Sequence, residues 1–289
     1  MRARYFVLAC GGIENARILL LSNRVARAGL GNQYDRVGRF FMDHPMVQRS
    51  ARVFTREPVR IKALFEPIEK EDQRALAGLC PTPLSQRTRR ILNCSATFTR
   101  APDPRAGTDR DAWPADLEKE RITLMADLDD GRLQQGAFFN LTTRSEQAPN
   151  PDSRITLSHE RDALGLNKVL LDWRLTELDF QTIRISLELI GEELGRLGLG
   201  HVQLADWLTT NQVNWPDSLN WGSHHMGTTR MADNPKEGVV DRNCRLHSVT
   251  NLYIAGSSVF TTSGYMNPTL TIVALALRLA DHLKGQFPA

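Results

Sequence analysis

Cysteine is scarce in this chain, and its few cysteines lie far apart. The four among 289 residues are at positions 10, 80, 94 and 244, and no two form a C-x-x-C pair. This spacing excludes a disulfide framework and a zinc site of the usual cysteine type. We therefore expect reduced thiols and no bound metal.

Long apolar runs and a concentration of one charge sign are also missing. The longest strongly apolar run, 272–277, is far shorter than the ~20 residues of a membrane-spanning helix. The chain has 36 Lys and Arg residues against 33 Asp and Glu residues, a net charge of +3. Its densest basic cluster, 87–90, is typical of a solvated face. A nucleic-acid-binding protein would carry a basic stripe, so we expect neither a nucleic-acid partner nor a membrane span.

The first ten residues look like a secretory signal, but their apolar stretch is too short and Glu14 and Arg17 follow at once. We interpret residues 4–10 instead as a buried strand, because a nearly continuous apolar run is typical of parallel sheets. Gly11-Gly12 then leads into a helix that reaches about Ser22. The net charge of +3 and the reduced cysteines make cytoplasm the default location, and a targeting segment upstream of Met1 is left open.

The middle of the chain has a different pattern, with short alternating runs separated by polar, proline-rich loops. This pattern predicts an antiparallel sheet with one face covered. The runs are 52–54, 91–98, 136–144, 154–158 and 168–173. Residues 99–118 are rich in proline and charge and predict a surface loop. A capping-box-like start at Thr176 predicts a helix to about Leu197.

From Trp221 onward the residues are small, polar and rich in glycine. Residues 251–255 predict a second short buried strand. A helix is predicted from Pro268 to about Lys284, largely buried because most of its faces are apolar. The expected architecture is therefore a mixed α/β chain in which residues 1–45 and 221–289 form one domain. Residues 46–220 form an antiparallel domain inserted into it.

Two short clusters carry the candidate chemistry. The pair His224-His225 is weakly informative, because adjacent side chains in an extended chain point to opposite faces. One histidine in the core and one exposed would account for it, and adjacent histidines rarely bind one metal ion. Asn267-Pro268 suits a helix start, with Asn at the N-cap and Pro as the first helical residue. Such a start also makes an electropositive site for an anion, and the two interpretations are compatible.

Several motifs, in the same order, resemble those of the glucose–methanol–choline (GMC) family of flavin oxidoreductases. The C-terminal motifs are His-x-x-Gly-Thr at 224–228, Gly-Val-Val-Asp at 238–241, Asn-Leu-Tyr at 251–253 before Ser257-Ser258, and Asn-Pro-Thr-Leu-Thr at 267–271. The others are Val-Leu-Ala-Cys-Gly at 7–11, Val-Gly-Arg at 37–39 with Asp-His-Pro at 43–45, and residues 151–157 around Ser153-Arg154.

The resemblance implies an FAD-binding Rossmann-type domain, formed in part by both chain ends, and an inserted antiparallel substrate domain (a PHBH-like fold). It implies that the chain oxidises CH–OH groups of a small-molecule alcohol, a sugar or polyol. His224 would remove the hydroxyl proton while hydride passes to flavin N5, Asn267 would be its partner, and His225 would point away. The expected cofactor-binding residues are Ala9, Gly11, Gly256, Ser257, Asn267, Pro268 and Thr269.

One expected motif is absent, the family's G-x-G-x-x-G turn that follows a first strand and holds the FAD pyrophosphate. Residues 29–34 lack the third glycine, and Gly198-Leu199-Gly200 follows a helix. The chain therefore resembles the C-terminal half of a GMC enzyme and should hold FAD poorly alone. A second chain could supply the missing half, or the chain could be a non-catalytic remnant.

Overall fold

The computed structural model describes residues 2–286 apart from 58, 62–63, 65, 71–72, 102–136 and 211. Its strands are β1 (Phe6–Leu8), β2 (Pro45–Thr55), β3 (Ile68–Lys70), β4 (Gln73–Ala75), β5 (Cys94–Arg100), β6 (Ala137–Ser145), β7 (Arg154–Arg161), β8 (Asn167–Asp172), β9 (His201–Leu204), β10 (Leu219–Trp221) and β11 (Leu252–Ile254). Its helices are α1 (Gly11–Leu21), α2 (Pro83–Arg89), α3 (Glu177–Arg196), α4 (Asp206–Thr209) and α5 (Thr269–Lys284), with a 3-10 turn at Ser257–Val259.

These elements confirm a mixed chain of helices and strands with antiparallel sheets. The predicted loop 99–118 was wrong at its start, because residues 99 and 100 extend β5. Residues 102–118 of that prediction lie outside the described part of the chain. The helix predicted from Thr176 is confirmed: the Asp179 carboxylate accepts hydrogen bonds from the Thr176 backbone N–H and hydroxyl at 2.6 and 2.8 Å. This is the reciprocal contact of a capping box. Burial raises the pKa of Asp179, and these hydrogen bonds oppose that rise.

The chain divides into two compact units. Unit 1 comprises residues 1–44, 146–179 and 221–289, and unit 2 comprises 45–145 and 180–220. Both chain ends thus lie in one unit. The sequence analysis predicted that residues 146–179 belong to the inserted domain. In the structure these residues lie in unit 1. The reason is that β7 and β8 pair with each other as a hairpin, separate from the sheet of unit 2.

Unit 2 is built on an antiparallel sheet. Its strand order is β10-β2-β6-β5, and β9 also pairs with β2. The register of β2 with β6 runs from Met46 opposite Arg144 to Thr55 opposite Ala137. The core of this unit contains buried apolar residues of the sheet and of α3, among them Val53, Phe139, Ile183 and Leu187. The alternating sequence pattern thus correctly predicted the antiparallel sheet of unit 2.

Unit 1 joins the two ends of the chain in a parallel strand pair. Strand β1 pairs with β11 in the register Phe6 opposite Leu252. Helix α1 follows β1 and packs its buried residues Ala16 and Leu19 into the same core as Ile254. Strand and helix are therefore connected as in one βα unit, as the sequence predicted.

The expected burial of β1 and α5 was wrong. Phe6 and Val7 are 36% and 44% exposed, and in α5 the side chains of Leu270 and Leu277 are 82% and 63% exposed. Helix α5 buries only Leu279. An apolar sequence indicates which side chains of a helix or strand could be buried. Burial also needs another segment that covers them, and the described residues do not cover these faces.

Candidate active site

The turns after β1 and β11 lie side by side, because parallel strands end at the same edge of a sheet. The Ala255 N–H donates to the Leu8 carbonyl at 2.7 Å. Buried Asn15 fastens the two turns together. Its Oδ1 accepts from the Cys10 N–H at 2.9 Å, and its Nδ2 donates to Ala255 O at 3.2 Å and to Ser258 Oγ at 2.9 Å.

Each turn exposes a glycine with open space above it. Gly11 and Gly256 have φ of +86° and +110°, and no heavy atom of the described structure lies within 4 Å of a Cβ built on either. We call the four residues Ala9, Gly11, Gly256 and Ser257 the glycine ledge. Ala9 is exposed like Gly11, whereas Ser257 is buried. Ligands of open α/β sheets bind at the carboxyl ends of strands, which is where this ledge lies.

Residues 222–227, which we call the histidine segment, contact the glycine ledge. Ser257 Oγ donates to the His225 carbonyl at 2.7 Å, and the Gly227 N–H donates to Ser257 O at 3.2 Å. A Cβ on Gly12 would lie 2.2 Å from the His225 oxygen, so the start of α1 can approach this backbone only with glycine. His225 O, Ser257 and Gly12 thus join the histidine segment directly to both turns.

The two adjacent histidines are both half-buried, so the alternative of one core and one exposed histidine does not describe them. Ser223, just before them, has φ of +56°, so the backbone is not extended there and strict alternation of faces does not apply. The His224 ring packs edge-on against the His44 ring at 5.1 Å between centroids. The His225 ring lies 5.6 Å from the Phe41 ring. The two imidazoles therefore have different neighbours.

His44 links the histidine segment to the start of α5. Its Nε2 lies 3.1 Å from the Met266 carbonyl oxygen, and its ring contacts His224. His224 and the residue preceding Asn267 therefore share His44 as a neighbour. The structure begins α5 at Thr269 with Pro268 in the N-cap position. Asn267 was expected in that position, so this prediction was wrong by one residue.

At the start of α5, Asn267 and Thr269 are exposed and Pro268 is buried. The Pro268 carbonyl accepts from the Ile272 N–H at 2.9 Å, the first turn of the helix. Pro268 has a helical backbone angle, φ −75°, which its ring favours. Asn267, just before α5, and Thr269, its first residue, are thus exposed, while Pro268 between them packs inward.

Buried Asp43, whose role sequence reasoning missed, supports the histidine segment. Its Oδ1 accepts backbone hydrogen bonds from Gly222 at 3.1 Å and from His224 at 3.0 Å. The only signal in the sequence was the Asp-His-Pro motif at 43–45, which assigned no role to Asp43 or His44. Asn15 had no signal of its own. The contacts of both residues join segments about 180 and 240 residues apart in the chain, which local patterns cannot report.

Two aromatic residues extend the site. The indole N–H of Trp173 donates to Gln147 Oε1 at 2.9 Å, and that same oxygen accepts the Asp43 N–H at 2.9 Å. Trp221 meets Trp173 edge-on, with centroids 6.4 Å apart, and is 57% exposed. An exposed indole thus lies three residues from His224 and belongs to the same network of contacts.

The described residues form neither a metal site nor a membrane span. In that part of the chain no three His, Cys, Asp or Glu side chains are grouped as a metal ion would need. No helix described there is long and apolar enough to cross a membrane.

Comparison with known proteins shows which proteins the chain resembles. Residues 149–276 match the family model described as GMC oxidoreductase. The chain is 27% identical over 288 residues to the fructose dehydrogenase large subunit of Gluconobacter japonicus, covering 96% of this chain and 47% of that protein. It is also 27% identical over 288 residues to paromamine 6'-oxidase of Streptomyces fradiae, covering 99% of this chain and 46% of that protein.

A solved structure has the same fold. The structure of pyridoxine 4-oxidase from Mesorbium loti matches 98% of this chain and 52% of its own length, with a TM-score of 0.54 and 17% identity. The chain thus spans about half the length of the curated relatives it matches. The family resemblance carried by the motifs is confirmed, because residues 149–276 of the chain match the GMC oxidoreductase family model.

Proposed function

We propose that this protein is an FAD-dependent oxidoreductase, or the C-terminal part of one, that oxidises a CH–OH group of a sugar or polyol. The observation that carries the proposal is the junction of a histidine segment with an open glycine ledge. Ser257 belongs to the ledge and donates to the carbonyl of His225, next to His224. A candidate base and a candidate cofactor site are thus neighbours within one unit of the fold.

The glycine ledge fits FAD on structural grounds. Gly11 and Gly256 leave their backbone open where a side chain would fill the space. The first N–H groups of α1 also lack partners within their own helix, as at every helix start, and can bind an anionic group. In this proposal Ala9, Gly11, Gly256 and Ser257 hold the cofactor from one side. Asn267, Pro268 and Thr269 hold it at the positive end of the α5 dipole.

This assignment extends to the domains. Unit 1 would be part of a Rossmann-type FAD-binding domain, and unit 2 a PHBH-like substrate domain. The FAD, when bound, supplies the hydride acceptor at its N5 atom. Side chains of this protein would accept the hydroxyl proton and orient the substrate.

The residues around His224 can handle the proton of an alcohol. An imidazole has a pKa suited to accepting a hydroxyl proton near neutral pH. The Asn267 amide can donate a hydrogen bond to the same hydroxyl oxygen without competing for its proton. In this mechanism His224 holds the proton while the C–H bond breaks, and Asn267 orients the oxygen.

The proposed substrate class rests on two observations. Fructose dehydrogenase and paromamine 6'-oxidase, two relatives along nearly the whole chain, carry names of enzymes that act on sugar-type molecules. Exposed Trp221 also offers an indole near His224, and an aromatic ring can pack on the apolar C–H face of a sugar. We therefore propose a sugar or polyol as the small-molecule substrate.

A second candidate function is that of a subunit, or a non-catalytic remnant, that binds no flavin alone. The exposed apolar side chains of β1 and α5, such as Val7 at 44% and Leu270 at 82%, favour it. A separate polypeptide that carries the G-x-G-x-x-G turn would complete the FAD site in this case. The subunit name of the fructose dehydrogenase relative is consistent with an assembly of several chains.

FAD binding separates the two candidates. The purified chain is titrated with FAD and followed by quenching of flavin fluorescence, first alone and then with a separately encoded polypeptide that carries the missing turn. Binding followed by bleaching of the flavin on anaerobic addition of sugars or polyols supports the oxidoreductase. Binding only in the presence of the second polypeptide supports the subunit. No binding in either case contradicts both the oxidoreductase and the subunit and supports the non-catalytic remnant.

A further inference from the structure

Asp43 is a buried carboxylate with an unusual number of backbone partners. It is 1% exposed. Its Oδ1 accepts three backbone N–H bonds, from His44 at 2.7 Å, from Gly222 at 3.1 Å and from His224 at 3.0 Å. Because Gly222 and His224 both donate to it, this oxygen anchors the backbone on both sides of Ser223.

The backbone between the two anchors is held in a conformation that it would not adopt by itself. Ser223 has φ of +56°, the left-handed region that residues other than glycine seldom adopt. Its neighbours Gly222 and His224 both donate to the same Asp43 oxygen. The loop is also tight, since a Cβ on Gly222 would lie 3.1 Å from His224 Nδ1 and 3.2 Å from Asp43 Oδ1. Asp43 therefore fixes the turn that presents the His224 side chain.

The backbone of Asp43 is itself fixed by a buried residue, Gln147. The Asp43 N–H donates to Gln147 Oε1 at 2.9 Å. Gln147 is 0% exposed, and its N–H donates to Ser263 Oγ at 2.9 Å. Within the described structure Asp43 Oδ2 makes no hydrogen bond, and His225 Nε2 lies 3.7 Å from it. The carboxylate thus has one oxygen committed to the backbone and one facing His225.

We propose that Asp43 is the positioning residue of His224. It acts through the main chain: by binding the N–H groups of Gly222 and His224, it holds the strained turn at Ser223 and so the place of the His224 imidazole. The proposal rests on the proposed role of His224 as the base, but the anchoring itself needs no flavin. The two backbone N–H groups need only the acceptor oxygen of Asp43, so an uncharged acceptor at this position should serve nearly as well.

Two substitutions separate an acceptor from a charge. Asp43→Asn keeps one carbonyl oxygen for the three N–H groups, whereas Asp43→Ala removes it. The matched control is Asp162→Asn in the β7–β8 hairpin. Asp162 also accepts two backbone N–H bonds, from Leu164 and Leu166, and pairs with a cation, Arg17, away from the histidine segment.

The first readout is hydrogen exchange of the His224 amide, measured by NMR on the whole protein without flavin. Loss of one strong hydrogen bond corresponds to about a 10- to 100-fold change in an equilibrium. We expect exchange of this amide to be faster by about that factor in Asp43→Ala, and little changed in Asp43→Asn and in the control. Equal protection in the wild type and in Asp43→Ala would overturn the proposal.

The second readout is the split between kcat and KM in the FAD-loaded protein. Asp43→Asn should keep kcat within about 10-fold of wild type, and Asp43→Ala should lower it by about 100-fold, the usual worth of a placed base. If Asp43→Ala does not fold, Asp43→Asn alone decides. A protected His224 amide with kcat lowered about 100-fold would show that charge is required, and would overturn the proposal. If the wild type binds no FAD, the proposed function fails, while amide exchange still decides the role of Asp43.

Discussion

The carboxylate of Asp43 accepts a hydrogen bond from the backbone N–H of His224 at 3.0 Å, across 181 residues of sequence. The same oxygen binds Gly222, so the turn that carries His224 is fastened at two points. The position of the candidate base is thus set by a residue that precedes unit 2 in the chain. Residues that precede unit 2 in the chain and residues that follow it therefore contribute to one site.

The glycine ledge gives a prediction with a matched control. Gly256→Ala and Gly165→Ala each place a Cβ at positive φ, +110° and +75°, with no described heavy atom within 4 Å. Both should lower stability by about 1 kcal/mol, because an L side chain disfavours that conformation. Only Gly256→Ala should also weaken FAD binding, by 10-fold or more, as measured by fluorescence titration. Equal FAD affinities for the two variants would count against the ledge as a cofactor site.

The Asn15 side chain predicts a loss of stability. Asn15→Ala removes its contacts to Cys10, Ala255 and Ser258 and leaves buried polar groups without their partner. The free energy of unfolding should fall by about 2 kcal/mol. Asn234→Ala, at an exposed surface turn, should change it by less than about 0.5 kcal/mol. Chemical denaturation measures both, and a similar small effect for the two would contradict the role given to Asn15.

Asn267 predicts a change in rate with unchanged stability. Its side chain is exposed, and Pro268 occupies the N-cap position of α5, so Asn267→Ser should leave the melting temperature near that of wild type. Serine can still serve a helix start but lacks the amide. We expect flavin reduction to slow by about 10-fold or more, measured by stopped-flow absorbance. Normal reduction by Asn267→Ser would contradict a role for the Asn267 amide in the reaction.

Trp221 predicts a change in substrate affinity. If a sugar packs on its indole, Trp221→Ala should raise KM by about 10-fold, the loss of about 1.4 kcal/mol of ring contact, with a smaller change in kcat. The control is Trp215→Ala, because Trp215 packs against Phe180 and Trp207 at 5.7 and 5.9 Å in unit 2. That variant should lose stability but keep KM. Steady-state kinetics with a polyol panel decides, and an unchanged KM in Trp221→Ala would exclude stacking.

The elements of the fold were predictable from local sequence because their signals are local. The alternating runs identified β5, β6, β7 and β8, and the Thr176–Asp179 pattern gave the start of α3. Burial was less predictable. Phe6 and Val7 of β1 and Leu270 and Leu277 of α5 are exposed in the structure, since an apolar side chain does not specify whether another segment covers it.

The candidate site was predictable only in its motifs. His224, Gly256 and Asn267 stand in recognisable sequence patterns, whereas the contacts that support them are long-range. Asp43 and His224 are 181 residues apart in the chain and come into contact only when the chain folds, and Asn15 joins turns about 240 residues apart. The face on which each histidine lies also depends on the positive φ of Ser223, which no sequence pattern of serine predicts.

Flavin reduction by His224→Ala tests the central claim most directly. Wild type and variant are saturated with FAD, mixed anaerobically with a sugar or polyol that the wild type oxidises, and followed by bleaching of the flavin in a single turnover. The account predicts that the variant binds FAD normally and reduces it about 100-fold more slowly or worse, because the base is missing. His247→Ala, whose ring lies 2.9 Å from the Ala232 carbonyl oxygen instead, should reduce FAD at the wild-type rate. Equal rates for His224→Ala and wild type would contradict the account.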